Sequence, residues 1–308
     1  MSQKIFISTS SFGDFSSEPI DLLKSEGFEV KLNPLGRKLN ETETIELLKD
    51  TVGVIAGTEK YSETVLNALP LLQTISRVGV GVDNIDFEAT ARRSINVVAT
   101  KTDLSKAVAE LALAMIFDLS RKITIHNNGV KSHKWSKSIG RLVYGKTLGI
   151  IGLGKIGKSL IEITSGLGLK YIAYDTYKDV SFAAAHNLTY VTVNELLKQS
   201  DIVSLHLKYS QELYHFLSKE KLCLLNRDAI LINTSRGEFI DEKALFSLLK
   251  QNSFGGAGLD VFLEEPYDGI LCELPNVLLT PHIGSFVKEI RSDMEIEAAQ
   301  NFIKLMKQ

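Results

Sequence analysis

At 308 residues the chain is long enough for about two domains, and its 44% hydrophobic content is that of an ordinary globular protein. A formal charge of −2, without a sustained basic run, argues against nucleic acid or an anionic membrane surface as a partner. The two cysteines, Cys223 and Cys272, fit neither a metal spacing nor a disulfide framework, and Cys223 reads as a small buried residue. The first residues run straight into a strand pattern with no apolar leader core, and the richest apolar run, residues 111–119, contains Asp118. A cytoplasmic protein without a membrane span is expected.

In chain order, strands are predicted at residues 4–8, 28–32, 52–56, 72–76 and 96–99. Helices fall between them at 19–25, with Ser17 as cap, at 41–49 after Asn40, and at 62–68. This alternation predicts a mostly parallel sheet covered on both faces, a complete doubly wound unit in itself. Residues 103–127 follow as one long helix of small and apolar residues with no broad polar face, which predicts burial on several sides. A connecting helix that also meets a second subunit fits this pattern. After it come a strand ending at Ile151, a helix at 155–167 and a strand at 170–174. Thr192 and Glu195 form a capping box opening a helix to 199. Strands at 202–205, 229–233, 258–262 and 277–279, helices at 219–225 and 242–250, and an amphipathic helix at 285–307 complete the reading.

The most informative stretch is Thr147-Leu-Gly-Ile-Ile-Gly-Leu-Gly-Lys-Ile-Gly157. Gly152 permits a tight bend, Gly154 lets backbone approach a pyrophosphate, and Gly157 lets the next helix pack on the strand. The helix then directs its amides and positive dipole end at the anion. Asp175 ends the second strand, where a carboxylate accepts bonds from a ribose diol and repels a 2′-phosphate. Lys178 is the nearest residue able to blunt that preference. NAD is therefore the expected cofactor.

Ligands of open parallel sheets bind beyond the carboxyl ends of the strands. There the sequence places Thr234, Ser235 and Arg236, then Glu264 and Glu265, then Thr280, His282 and Gly284. An arginine fork binds a carboxylate bidentately. Histidine moves a proton near neutral pH, and a carboxylate on its other nitrogen fixes the tautomer. Oxidation of a 2-hydroxy acid beside a nicotinamide needs these groups. His206, at another strand end, reads as shaping the cofactor edge, and Trp135 as a packing anchor.

With these motifs in this order the chain resembles the D-isomer-specific 2-hydroxyacid dehydrogenase family over essentially its full length. The residues that carry the likeness are 77–86, 145–157, 232–237, Asp260 to Phe262 with Glu265 and Pro266, and Thr280 to His282. Within the family it is most similar to phosphoglycerate dehydrogenases of serine biosynthesis, through Ala56-Gly-Thr-Glu59 and the 77–86 loop, without a regulatory domain. The resemblance implies an α/β fold of two doubly wound parallel-sheet domains. A Rossmann NAD-binding domain, residues 101–284, is inserted into a flavodoxin-like substrate domain, residues 1–100 plus 285–308.

The resemblance also implies roles. Arg236 holds the substrate carboxylate, His282 is the acid/base, Glu265 orients His282, and the amides of Val80 and Gly81 contact the substrate. Cofactor contacts fall to Gly152, Gly154, Lys155, Ile156, Gly157, Asp175, His206, Leu207, Thr234, Ser235, Asp260 and Gly284, with no metal. A homodimer through the NAD-binding domains is implied as well. The favoured substrate is 3-phosphoglycerate, with hydroxypyruvate, glyoxylate or another 2-keto acid as alternatives. Departures from the family pattern are Ala99-Thr100-Lys101, Lys208, and Ala56 where the phosphoglycerate enzymes carry an arginine; Lys137 or Arg141 could supply a phosphate contact instead. A non-enzymatic NAD(H)-sensing corepressor on this scaffold is the rival of another class, and a methyltransferase has no use for the arginine, glutamate and histidine.

Overall fold

The computed structural model describes residues 3–307; Met1, Ser2 and Gln308, which the expected substrate domain includes, lie outside the described residues. The chain divides into two compact units, one of Met1–Asp103 with Val287–Gln308 and one of Leu104–Phe286. Each is an α/β unit built on a parallel sheet.

The first unit runs β1 (Lys4–Ile7), α1 (Glu18–Ser25), β2 (Glu29–Leu32), α2 (Glu41–Leu48), β3 (Gly53–Ala56), α3 (Glu63–Asn67), β4 (Thr74–Arg77), α4 (Phe87–Arg92) and β5 (Asn96–Ala99). Its strand order is β2-β1-β3-β4-β5. β3 is buried along its whole length, as a strand covered on both faces must be. Asn40 caps α2 through a reciprocal box with Glu43, a device that stabilises a helix by about 1 kcal/mol. Ser17 stands at the start of α1, but its hydroxyl donates to Asp21 rather than capping the backbone. The short helix α4 was not foreseen.

The second unit contains α5 (Ser105–Arg121), α6 (Ile123–Lys131), β6 (Thr147–Ile151), α7 (Lys155–Thr164), β7 (Lys170–Tyr174), α8 (Val180–Ala185), β8 (Leu188–Tyr190), α9 (Val193–Gln199), β9 (Ile202–Leu205), α10 (Lys219–Leu222), β10 (Ile230–Asn233), α11 (Glu242–Lys250), β11 (Gly256–Leu259) and β12 (Val277–Leu279). Its sheet order is β12-β11-β10-β9-β6-β7-β8, the dinucleotide-fold arrangement with its reversal between β6 and β9. One apolar core packs α5 and α7 on one face, and a second packs α9, α10 and α11 on the other.

The last helix, α12 (Lys288–Met306), belongs to the first unit. A Cβ on Gly53 would lie 2.4 Å from the Phe302 ring, so glycine in β3 is what lets this helix seat. Ser76 Oγ donates to the Ala298 carbonyl beside it (2.7 Å).

Three readings are corrected. The helix expected over 103–127 is two helices, because Lys122 turns left-handed (φ 56°) and Asp118 accepts from the Thr124 amide (2.8 Å), starting a new helix. Cys223 is exposed, since α10 stops at Leu222 and the inward positions are taken by Leu222 and Leu225. Trp135 anchors no packing and is 83% exposed. In addition, β11 begins two residues earlier than expected and ends before Asp260; Gly258 belongs in it because a Cβ there would crowd Met115 of α5 at 3.1 Å. Among the described residues no helix is long and apolar enough to cross a membrane.

Candidate active site

Because all seven strands of the second unit run parallel, the carboxyl ends of β6, β9, β10, β11 and β12 line one edge. The glycine turn follows β6. Gly152 has φ +94°, and a Cβ there would lie 2.5 Å from the His206 carbonyl oxygen. A Cβ on Gly157 would meet the Gly152 oxygen at 2.6 Å, so any larger residue would push α7 off the turn. Gly154 is exposed, with nothing within 4 Å of its Cβ position, and it caps α7 without a side-chain bond. The amino end of α7 is thus left open for an anion. Lys155 is exposed beside it and Ile156 half-buried.

Asp175 stands next to this turn. One oxygen accepts from the Leu153 amide (2.6 Å) and the other from the Tyr177 amide (2.9 Å). Lys178 lies over the Tyr190 ring, 5.8 Å from its centroid, and its charge is directed there. At the end of β9, His206 is buried, its Nε2 2.9 Å from Ser204 Oγ; burial pushes its pKa down to about 3, which keeps the ring neutral. His206 Nδ1 and, at the end of the adjacent β10, Thr234 Oγ1 are buried without a partner. Orphaned buried polar atoms beside an open glycine turn fit a dinucleotide that reaches them when bound. Leu207 is half-buried at the same edge.

Ser235 Oγ donates to the Leu205 carbonyl (2.6 Å) and its amide to Asn233 Oδ1 (3.0 Å), fixing the turn that presents Arg236. Asn233 Nδ2 donates to the Arg236 carbonyl (2.8 Å), and an Arg236 Nη1 hydrogen reaches the Ser235 oxygen (2.7 Å). A Cβ on Gly237 would fall 2.0 Å from the Phe262 carbonyl carbon. Only glycine therefore lets the Arg236 turn lie against the segment leading to Glu265.

His282 Nδ1 lies 3.0 and 3.1 Å from the two oxygens of Glu265. A carboxylate only accepts, so Nδ1 carries the hydrogen and Nε2 is left to exchange a proton. His282 sits at φ 57°, a left-handed conformation uncommon for a residue with a side chain and of the kind found at functional sites. Asp260 holds that conformation. Its Oδ1 accepts from Thr280 Oγ1 (2.6 Å) and the Ile283 amide (2.8 Å), and its Oδ2 from the Gly284 amide (2.8 Å). Burial raises the Asp260 pKa, opposed by the Thr280 bond. From the sequence Asp260 reads as a cofactor contact; in the structure its carboxylate braces the histidine loop together with Thr280, and Asn233 braces the Arg236 turn. Those two stand in the same strand-end motifs, and their polar side chains were the available signal.

Val80 and Gly81 lie in the first unit, on the turn after β4. Val80 is exposed and Gly81 half-buried, while the Gly79 amide (φ +135°) is fixed to Thr100 Oγ1 (2.9 Å). Lys137 is exposed. Arg141 forks onto Asp228, its Nη1 2.5 Å from the Asp228 carbonyl oxygen and its Nη2 on the carboxylate, just before β10 and therefore at the opposite, amino-terminal edge of the sheet.

A paired imidazole and carboxylate, an arginine and a dinucleotide turn on one sheet edge describe an NAD-dependent oxidoreductase. The chain belongs to the D-isomer specific 2-hydroxyacid dehydrogenase family: residues 113–284 match the profile of that family's NAD binding domain. It is 38% identical over 289 residues to a glyoxylate reductase of Thermococcus litoralis, spanning 91% of this chain and 86% of that protein. It is 36% identical over 285 residues to a D-3-phosphoglycerate dehydrogenase of Synechocystis sp., spanning 91% of this chain and 51% of that protein. A solved phosphoglycerate oxidoreductase of Vibrio cholerae superposes with a TM-score of 0.89 at 26% identity, covering 100% of this chain and 99% of that one. The protein is an NAD-dependent 2-hydroxyacid dehydrogenase.

Proposed function

We propose that this enzyme reduces short 2-oxo acids, glyoxylate and hydroxypyruvate foremost, to the 2-hydroxy acids, glycolate from the first and D-glycerate from the second. The supporting observation is the His282–Glu265 pair (3.0 Å) on the strand edge that also carries the glycine turn. Arg236 grips the substrate carboxylate with its planar fork, aided by the amides of Val80 and Gly81. NADH, when bound, supplies the hydride that forms the C2–H bond. His282 gives the Nε2 proton to the carbonyl oxygen, and Glu265 stabilises the imidazolium until that transfer. In the reverse direction the neutral imidazole takes the hydroxyl proton. Gly152, Gly154, Lys155, Ile156, Gly157, Asp175, His206, Leu207, Thr234, Ser235, Asp260 and Gly284 would hold the cofactor; Asp175 takes the ribose.

The choice of substrate rests on the likeness to the Thermococcus enzyme and on Ala56 and Gly57, which offer no arginine at the end of β3. A second reading, oxidation of 3-phosphoglycerate, is favoured by the likeness to the Synechocystis protein. Initial rates of NADH consumption with glyoxylate, hydroxypyruvate and pyruvate, and of NADH formation from 3-phosphoglycerate, test the proposal. Turnover of glyoxylate and hydroxypyruvate is expected to exceed that of 3-phosphoglycerate by at least about tenfold, roughly 1.4 kcal/mol in transition-state binding. No turnover of any of the four, with NADH binding intact, would move the protein to the sensor reading.

A homodimer through the NAD-binding units is part of the same proposal, its contact lying at the far end of the stretch expected as one long helix and in the segment that follows. The apolar residues of α5 are used inside its own unit, against α7, β10 and β11. The exposed apolar face is instead α6 and the segment after it, with Ile123, Ile125, Val130, Trp135, Ile139 (92% exposed), Leu142 and Tyr144. Seven exposed apolar side chains within 22 residues are the surface proposed for the partner. In sedimentation velocity the protein is expected to run as a dimer and Ile139→Asp to shift it to monomer. A wild-type monomer at all concentrations would refute this.

A further inference from the structure

We propose that Thr100 and Asn84 are positioning residues, which hold the two ends of the 79–84 turn so that the Val80 and Gly81 amides stay aimed at the substrate carboxylate. This rests on the functional reading above and adds the two side chains that keep its amide contact in place.

β4 lies between β3 and β5, and the chain leaves it with the Val78 amide still donating to the Ala56 carbonyl at the end of β3 (2.9 Å). From there to the bridge between Tyr61 and Ile85 no strand pairing holds the chain. Gly79 is buried at φ +135°, a conformation that favours glycine, and the Arg77 guanidinium lies against it and donates to the Val78 carbonyl. A buried amide needs an acceptor, and the one the Gly79 amide finds is a side chain, Thr100 Oγ1 (2.9 Å). Thr100 is 1% exposed, and its own amide donates to the Arg77 carbonyl (3.2 Å), so the hydroxyl has a fixed place just past β5.

The other end of the turn is tied to the segment after β3. Asn84 Nδ2 donates to the Glu59 carbonyl (2.7 Å) and the Gly57 carbonyl (3.3 Å). The Asn84 carbonyl accepts from the Tyr61 amide (2.8 Å), and the Asp86 amide donates to the Tyr61 carbonyl (3.0 Å). That segment is itself fixed from inside. Glu59 is 1% exposed, and its Oε1 accepts from Ser8 Oγ, the Gly57 amide (3.0 Å) and the Tyr61 hydroxyl (2.7 Å).

Between these two anchors the successive amides of Val80 and Gly81 donate to no described residue. Successive open amides on a turn suit an anion, and they grip a carboxylate only while they keep their direction. Thr100 and Asn84 therefore act on the substrate through the backbone, without touching it.

Glyoxylate carries the carboxylate and methylglyoxal carries only the carbonyl, so the ratio of their kcat/KM values with NADH reads the amide contact apart from the fold. Thr100→Val keeps the shape and removes the acceptor, and is expected to lower this ratio by at least about tenfold, mainly through KM for glyoxylate. Thr100→Ser, which restores the hydroxyl, is expected to stay within about threefold of wild type. A ratio unchanged within twofold in Thr100→Val, or an equal fall in Thr100→Ser, overturns the proposal. Should Thr100→Val not fold, Asn84→Ala decides: a fall of at least about fivefold is expected, and equal losses on both substrates overturn it. A wild-type enzyme that reduces neither compound removes the functional reading and this assignment with it. A wild-type enzyme that reduces both, with Arg236→Ala selective against glyoxylate and Thr100→Val not, removes this assignment alone.

Discussion

His282→Asn is expected to lower kcat for keto-acid reduction by about 10³-fold, within the 10²–10⁴ that a positioned general acid contributes, while NADH binding changes little. Asparagine can still face Glu265 but has no nitrogen that gives up a proton near neutral pH. The bonds from Nδ1 to both Glu265 oxygens, at 3.0 and 3.1 Å, orient the ring and leave Nε2 as its reacting atom. Glu265→Gln should lose less, about 10²-fold, because the imidazole keeps a hydrogen-bonding neighbour and loses only the charge that stabilises its protonated form. Single-turnover reduction monitored at the nicotinamide absorbance separates chemistry from product release. A His282→Asn enzyme retaining more than a tenth of wild-type kcat would remove His282 from the chemistry.

The parts of this site that were legible in the sequence are those encoded by neighbours along the chain. The turn from Gly152 to Gly157 and the acid at Asp175 lie within one strand-turn-helix-strand unit, where residue type alone limits the backbone. Arg236, Glu265 and His282 are far apart in the chain, yet each follows a short apolar strand. Parallel pairing of β10, β11 and β12 then places them on one edge with no further information.

What was not legible depends on contacts that no periodicity carries. The break at Lys122 comes from Asp118 capping the next helix, and a hydrophobic pattern reads straight through it. β8 and α8 are only three and six residues long, too short for a hydrophobic period to show. Glu59 enters the sequence reading only through the Ala56-Gly-Thr-Glu59 likeness, and its burial follows from β1 pairing with β3, which brings Ser8 onto its oxygen. Asp260 shows the same limit from the other side. Its place at a strand end was visible, but its hold on the Thr280, Ile283 and Gly284 donors needed the loop's actual path.

Arg236→Lys is expected to lower kcat/KM for glyoxylate by about 10²-fold and Arg236→Ala by about 10³-fold. A charge-assisted hydrogen bond contributes roughly 1.5–3 kcal/mol, and a planar fork makes two of them to a carboxylate where an ammonium makes one without the same geometry. The position is built for that fork. Asn233 and Ser235 fix the turn through the bonds from Asn233 Nδ2 and Ser235 Oγ, and Gly237 presses it onto the Phe262–Leu263 backbone. A purely structural arginine would cost the same for every substrate. The loss is therefore expected to shrink to within a few-fold when the substrate is methylglyoxal, which keeps the carbonyl and lacks the carboxylate. Added guanidinium should restore part of the Arg236→Ala activity toward glyoxylate. Equal losses on both substrates, with no rescue, would assign Arg236 to holding its own turn and leave the substrate carboxylate to the Val80 and Gly81 amides.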